Sequence, residues 1–335
     1  MHINAEIEAW PRTRSFAIAG RTFHDAPVLT VSVELDGLIG RGEASGVYYR
    51  GETVETMARA IRALDLGGGV LTRGELAARL PAGGARNALD CALWDLEAQQ
   101  SGEPVWRLAA LPDPKPLLTT LTLGADTPDR MAKLSKTFRH ARALKLKLLG
   151  DGRDAERIVA VRFARPDIWV GVDANQAFSR ETFAVLLPVL MEANVRLIEQ
   201  PFPWERDGDL DELRSPIPIV ADESVQDRAG LKALAGRFDV VNIKLDKCGG
   251  LTEALGMAGE ARRLGLGVMV GCMTSTSLAM APGWMLGQVC DYVDLDGPLD
   301  LAADRAPAAL YDDGLINCPS SLWGYPRPRN ELRHG

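Results

Sequence analysis

The chain is short of the features that mark several large protein classes. Its five cysteines (Cys91, Cys248, Cys272, Cys290, Cys318) are scattered and form no C-x-x-C, so neither a disulfide framework nor a zinc site is read. The four histidines are scattered too. No H-E-x-x-H and no G-x-x-x-x-G-K-[ST] occurs, which argues against a zinc hydrolase and a P-loop enzyme. The formal charge is −7 and no basic run interrupts it, so no nucleic-acid partner is expected. No apolar run is long enough to cross a bilayer. The N-terminus, MHINAEIEAWPRTR, has no apolar signal core. These absences lead to the expectation of a cytoplasmic protein without a membrane partner. What remains is 335 residues of ordinary globular composition, enough for one large domain and a smaller one.

The first hundred or so residues read as an α+β module. APVLTVSVELDG alternates apolar and polar positions up to a D-G turn, as an antiparallel strand does. Helix-like segments follow, ending with ARNALDCALWDLEAQQ. From about Leu117 the rhythm changes. Short β-rich runs (LLTTLTL, ALKLKLL, IWVGVDAN, VRLIEQP, PIVADES, VVNIKLD, GVMVGCM, YVDLDGP) alternate with segments of helix composition such as DAERIVAVRFA, ETFAVLLPVLMEA and RAGLKALAGR. Strict alternation implies parallel strands with crossover helices, and eight of them in under 200 residues suit a (β/α)8-type barrel. The expected architecture is an α/β (β/α)8-type barrel, a modified TIM barrel, over residues 113–300. An N-terminal α+β capping domain covers residues 1–112, and a tail, residues 301–335, returns to the capping domain.

Charged residues close these apolar strands. Lys147 ends the second, Asp173 the third, Glu199 the fourth, Asp222 and Glu223 the fifth; Lys244 ends the sixth, and Asp294 and Asp296 lie in the eighth. From Lys147 the steps are 26, 26, 23 and 22 residues, about one βα unit each. In a barrel such strand ends converge on one mouth. Each carboxylate has a plain alternative: Asp173 as a helix N-cap, Glu199 as a loop residue, Asp222 as a cap. Three on consecutive strands form a hard-oxygen cluster suited to Mg²⁺.

The two lysines of ALKLK alternate with leucines, so Lys145 and Lys147 share a face. Alone, that reads as a half-exposed strand; in a barrel the face is the interior. Lys147 and Lys244, four strands apart, stand across the mouth and place a general base on each side of a substrate. A lysine acts as a base only when neutral, and Lys145 and a metal supply the nearby positive charge that lowers a lysine pKa. A metal also neutralises a substrate carboxylate and stabilises the enediolate formed when the α-proton leaves. Removal on one face and delivery on the other inverts the α-carbon.

KLK, VDAN, IEQP, ADES and NIKLDKCGG occur in an order that resembles the enolase superfamily, within it the muconate-cycloisomerase-like subgroup. Lysine-plus-Mg²⁺ sites are a known property of that superfamily. LPAGGARNALDCALWDLEA, NIKLDKCGGLTEAL, GCM and DLDGP are similar to dipeptide epimerases, especially the L-Ala-D/L-Glu epimerases. The resemblance implies metal ligands at Asp173, Glu199 and Asp222, acid/base lysines at Lys147 and Lys244, and Lys145 on the substrate carboxylate. It implies that Asp294 and Asp296 hold the dipeptide ammonium; Asp296, before G-P, also suits a turn. It further implies a dipeptide substrate, one Mg²⁺ per site, a homo-oligomer, a role in murein-peptide metabolism, and specificity loops near residues 19–25 and 46–52.

One position departs from the resemblance. Phe23 stands where an arginine of the first capping loop pairs with the glutamate side chain in Ala-Glu epimerases; Arg21, two residues away, is the substitute at hand. Without it the pocket is more apolar and the second residue need not be glutamate. The rival readings are a muconate cycloisomerase, an o-succinylbenzoate synthase or N-acylamino acid racemase of the same superfamily, a Schiff-base aldolase using one lysine, and a barrel without catalysis.

Overall fold

The structure, a computed structural model, describes residues 1–18, 21–213 and 215–327, without the side chains of residues 14–18 and 21–23. The chain opens with a three-stranded antiparallel sheet, β1 (His2–Ile18), β2 (Arg21–Leu35) and β3 (Leu38–Ala44). The expected D-G turn joins β2 to β3. Asp36 and Gly37 both take positive φ (53° and 76°), the two-residue turn whose twist matches a hairpin. Three helices cover one face: α1 (Val54–Arg62), α2 (Arg73–Arg79) and α3 (Gly84–Ser101). Thr53 and Thr72 start the first two with capping boxes. β3 lies hard against α3 because Gly42 has no side chain; a Cβ there would sit 2.1 Å from Ala88 O.

β4 (Leu117–Leu118) comes next, then eight parallel strands: β5 (Leu121–Leu123), β6 (Ala143–Lys147), β7 (Trp169–Asp173), β8 (Ile198–Glu199), β9 (Ile219–Ala221), β10 (Val240–Lys244), β11 (Gly267–Gly271) and β12 (Tyr292–Asp294). Each pairs with its neighbours in sequence, so the sheet runs in order from β5 to β12. The two ends meet: Thr120 N donates to Val293 O at 3.0 Å, and Leu295 N to Thr119 Oγ1 at 2.9 Å. This is the expected barrel. LLTTLTL, read as one strand, is split by that closure. Its first half, β4, pairs instead with β14 (Leu315–Asn317) of the tail, whose other neighbour is β13 (Leu310–Asp312). RAGLKALAGR holds only one helical turn, Leu231–Leu234: Ala235 is already extended (ψ 129°) and Gly236 follows at φ +89°.

Strand alternation builds the barrel in layers. Leu144, Leu146, Val170, Val172, Val241 and Ile243 point outward to the helices and are buried in the large core. Leu197, Val220, Val240 and Met269, with Trp169 and Tyr292 against them, form a separate apolar cluster. Leu197, Val220, Val240 and Tyr292 each lie two residues before a charged or polar inward position: Glu199, Asp222, Asn242 and Asp294. That cluster is therefore the floor of the barrel, and the polar residues sit above it. The tail also reaches the opening module. Trp323 Nε1 donates to Arg41 O at 2.8 Å, and Gly324 N to Asp95 Oδ1 at 2.8 Å.

Candidate active site

The strand ends gather their charges at one mouth, as the spacing predicts. Asp173 and Glu199 are register partners on β7 and β8, and Asp222 follows β9 directly. All three are buried. Lys147 Nζ lies 2.5 Å from Asp173 Oδ2 and 3.0 Å from Asn175 Oδ1. Lys244 Nζ lies 2.7 Å from Asp222 Oδ2 on the far side of the ring. Lys145 reaches Glu199 Oε2 at 3.0 Å and also bonds Asp294. Gly271 on β11 leaves the room this needs, since a Cβ there would meet Asn242 Oδ1 at 2.6 Å and Lys244 Cε at 3.0 Å.

Three neighbours had no role in the sequence reading. Lys247 is almost fully buried and donates to Asp222 Oδ1 at 2.6 Å and to Asp222 O at 2.5 Å. Asn242 donates to Glu199 Oε1 at 2.6 Å. Glu223 accepts from Asn175 Nδ2 at 3.3 Å, and its other oxygen is buried with no hydrogen-bond donor among the described residues. The signals were present as NIK, LDK and ADE, but a single buried polar residue in a strand or turn has no spacing rule to single it out.

Electrostatics follow from the count. Around the mouth, Asp173, Glu199, Asp222, Glu223, Asp294 and Asp296 face Lys145, Lys147, Lys244 and Lys247. Burial, then the negative charge of Asp222 and Asp173, raises Glu223 to about 7. Burial, then Asp294, raises Asp296 to about 6. Burial also pushes Asp222 upward, but Lys244 and Lys247 outweigh it and hold its carboxyl below the usual range. Burial pulls Lys145 and Lys244 down, yet the surrounding carboxylates hold both well above the ordinary lysine value. The neutral lysine that base catalysis needs is therefore not the resting state of Lys244: neighbouring anions outweigh neighbouring cations.

A divalent cation fits this donor set. Six carboxyl groups stand against four amino groups, and the Glu223 oxygen that has no donor among the described residues lies among them. All the donors are hard oxygens. Among the described residues no three Asp, Glu, His or Cys side chains already close round one point, because each carboxylate turns to a lysine. Asp173, Glu199 and Asp222 are the three that would have to turn inward together.

Asp294 and Asp296 close the wall. Asp294 bonds Lys145 and Thr120 Oγ1. Asp296 takes the N-cap position of a short 3₁₀ turn but makes no side-chain cap; its Oδ2 accepts from Thr122 N at 2.5 Å. The turn explanation therefore does not account for its carboxylate. Both line a cavity of about 570 Å³ with Lys145, Lys147 and Lys244, roofed by Tyr48, Tyr49 and Asp25 of the opening module. That module is latched to the barrel. Ser45 N donates to Asp246 Oδ1 at 2.9 Å, and Thr276 N to Glu43 Oε1 at 2.7 Å. The backbone of Arg21 and Phe23 runs in β2, opposite Ile18 and Phe16. Their side chains lie outside the described residues, as do Ala19 and Gly20 of the first loop expected to set specificity.

Residues 2–109 match the mandelate racemase / muconate lactonizing enzyme N-terminal domain, and residues 130–302 the enolase C-terminal domain-like family. The chain belongs to the enolase superfamily. Within it, this enolase-superfamily chain is 42% identical over 312 residues to the L-Ala-D/L-Glu epimerase of Escherichia coli (strain K12), covering 92% of this chain and 97% of that one. It is 41% identical over 281 residues to an N-acetyl-D-glutamate racemase of a Pseudoalteromonas species, covering 82% and 87%. Among solved structures it superposes, with a TM-score of 0.88 and 33% identity, on the dipeptide epimerase of Methylococcus capsulatus complexed with Mg and the dipeptide L-Arg-D-Lys. That match covers 95% of this chain and 96% of the other. The relatives of this superfamily chain are thus racemases and epimerases of amino acid derivatives.

Proposed function

We propose that this chain is a Mg²⁺-dependent dipeptide epimerase that inverts the α-carbon of the second residue of an L-Ala-Xaa dipeptide, with L-Ala-D/L-Glu the foremost candidate. The observation that carries the reading is the pair Lys147 and Lys244, four strands apart on one ring, with a carboxylate cluster between them and two further aspartates beside it. Asp173, Glu199 and Asp222 would hold the cation. A bound Mg²⁺ would offset the surrounding carboxylates, favour a neutral base at the site and neutralise the substrate carboxylate. Lys145 orients that carboxylate. One of Lys147 and Lys244, once neutral, takes the α-proton from its side of the substrate; the other, protonated, returns a proton on the opposite side. Run backward, the two exchange roles. Asp294 and Asp296 receive the ammonium of the first residue through charge-assisted hydrogen bonds.

The N-acetyl-D-glutamate racemase among the relatives supports a second reading, racemisation of an N-acylamino acid. The paired aspartates favour the dipeptide, since an acylated nitrogen has no charge to offer them. The same point argues against muconate and succinylbenzoate. Cytoplasmic location, homo-oligomeric assembly and the use of peptides released from murein complete the proposal. Among the described residues, no helix is long and apolar enough to cross a membrane. The test is incubation of a dipeptide library in D₂O with Mg²⁺, followed by mass spectrometry. α-Deuterium should enter the second residue, with both epimers present. No exchange in any dipeptide, together with exchange in N-acylamino acids, would replace this reading with the second.

A further inference from the structure

The two candidate bases are held unequally. Lys244 Nζ meets Asp222 Oδ2, and Asn242, two residues before it on β10, gives its amide to Glu199 instead. Lys147 Nζ has a second partner besides Asp173, the Oδ1 of Asn175 at 3.0 Å. An ammonium group only donates, so the Asn175 amide turns its oxygen to Lys147 and its NH₂ away. That NH₂ meets Glu223 Oε1 at 3.3 Å. Lys147, Asn175 and Glu223 thus form one line of hydrogen bonds along the cavity wall, from β6 through the turn after β7 to the turn after β9. Glu223 is only 5% exposed. Asn175 is also fixed by its backbone. Its φ is +42°, in the left-handed region that asparagine tolerates, and its N donates to Asp173 Oδ1 at 2.9 Å. Gln176 N, the next in the chain, donates to Gln200 O at 2.8 Å.

We propose that Glu223 is a positioning residue that acts through Asn175 to aim Lys147, and not Lys244, at its side of the substrate. This rests on the epimerase reading above. In that reading Asp173 belongs to the cation, and Asn175 is the partner of Lys147 with no other duty. A lysine is a point charge on a flexible stem, and a base misplaced by about 1 Å loses about 100-fold in rate. An asparagine amide held at one end alone is free to turn and offer its NH₂ to the ammonium. An acceptor at the other end fixes which way it points. Glu223 is that acceptor, and Asn175 Nδ2 is the one side-chain donor that reaches its carboxylate among the described residues. The support is one-sided, so its loss should be felt on one face of the substrate.

In D₂O, α-proton exchange without inversion reports one lysine at a time. The epimer whose exchange Lys147→Ala abolishes identifies the face that Lys147 serves. The test measures exchange and inversion for both epimers of the best library dipeptide, L-Ala-L-Glu and L-Ala-D-Glu in the foremost case. It compares wild type, Glu223→Met, Glu223→Gln and Asn175→Gly, with Mg²⁺ affinity taken by calorimetry. Glu223→Met should slow exchange on the Lys147 face by about 10- to 100-fold. Inversion should fall by the same factor in both directions, since the equilibrium between epimers is unchanged. Exchange on the Lys244 face and Mg²⁺ affinity should stay at the wild-type level. Glu223→Gln keeps an acceptor and should recover most of the loss. Asn175→Gly, which suits the positive φ, should lose the same face, and adding Glu223→Met to it should cost little more. The inference is overturned if Glu223→Met slows both faces together, if Mg²⁺ affinity falls with the rate, or if Glu223→Gln is no better than Glu223→Met. Should Glu223→Met fail to fold, Asn175→Gly decides: a loss on both faces, or on neither, sinks the idea. A wild type that exchanges no dipeptide ends the epimerase reading; one that exchanges both epimers without regard to Glu223 ends only this inference.

Discussion

Lys147 and Asp173 are register partners on adjacent parallel strands, and their side chains meet at 2.5 Å across the barrel mouth. On the other side of the ring Lys244 meets Asp222 at 2.7 Å. Each candidate base is thus attached to a different carboxylate of one cluster. Two bases sharing one substrate from opposite sides should be separable by mutation. Lys147→Ala and Lys244→Ala should each abolish interconversion of the epimers. Each should still exchange the α-proton of one epimer with D₂O, and the two variants should choose opposite epimers. A single variant that interconverts both epimers at close to the wild-type rate would show that the two-base assignment is wrong.

The excess of carboxylates predicts metal dependence. A chelator should stop α-proton exchange and Mg²⁺ should restore it. Asp222→Asn should weaken Mg²⁺ binding in a calorimetric titration. It should also lower thermal stability, because Lys244 and Lys247 both lose their anion in a buried setting, where breaking a pair costs about 3–5 kcal/mol. Undiminished exchange in chelator-treated enzyme would refute the metal reading.

Asp294 and Asp296 should matter for the substrate and not for the metal. Asp296→Asn should raise KM for dipeptides at least about tenfold, the scale of a lost charge-assisted bond, while Mg²⁺ affinity stays as in the wild type. N-acetylated dipeptides should be poor substrates. If they match the free dipeptides, the aspartates do not read an ammonium and the N-acylamino acid reading gains.

Asp246 carries a prediction about pH. It is fully buried at the latch between capping module and barrel, and burial raises its carboxyl to about 7 from an ordinary 3.8. The folded state therefore binds its proton more tightly than the unfolded chain. Its contribution to stability is complete below about pH 4 and is lost as pH rises to about 7, by roughly 1.4 kcal/mol per unit and about 4 kcal/mol in all. Asp246→Asn mimics the protonated form and removes this dependence. Urea unfolding should show the wild type losing stability relative to the variant as pH rises from 4 to 7.5. A constant difference across that range would mean that Asp246 is ionised throughout.

The residues of the candidate site were legible in the chain because a barrel turns sequence into geometry by simple rules. Alternation placed Lys145 and Lys147 on one face, and a step of one βα unit carried Asp173, Glu199 and Asp222 to neighbouring strand ends. The D-G turn of the capping sheet was equally local: two residues with positive φ specify it. Other features depended on chain segments that only docking brings together. Thr120 closes the ring against Val293, far along the sequence, and so divides LLTTLTL between two sheets. Lys247 carries no spacing signal of its own, and only the fold sets it beside Asp222. Periodicity determines which way a side chain points within its own element, so the barrel's inward charges could be read from it. Which charge meets which across elements is set by the packing of cap on barrel, and that the tertiary structure alone decided.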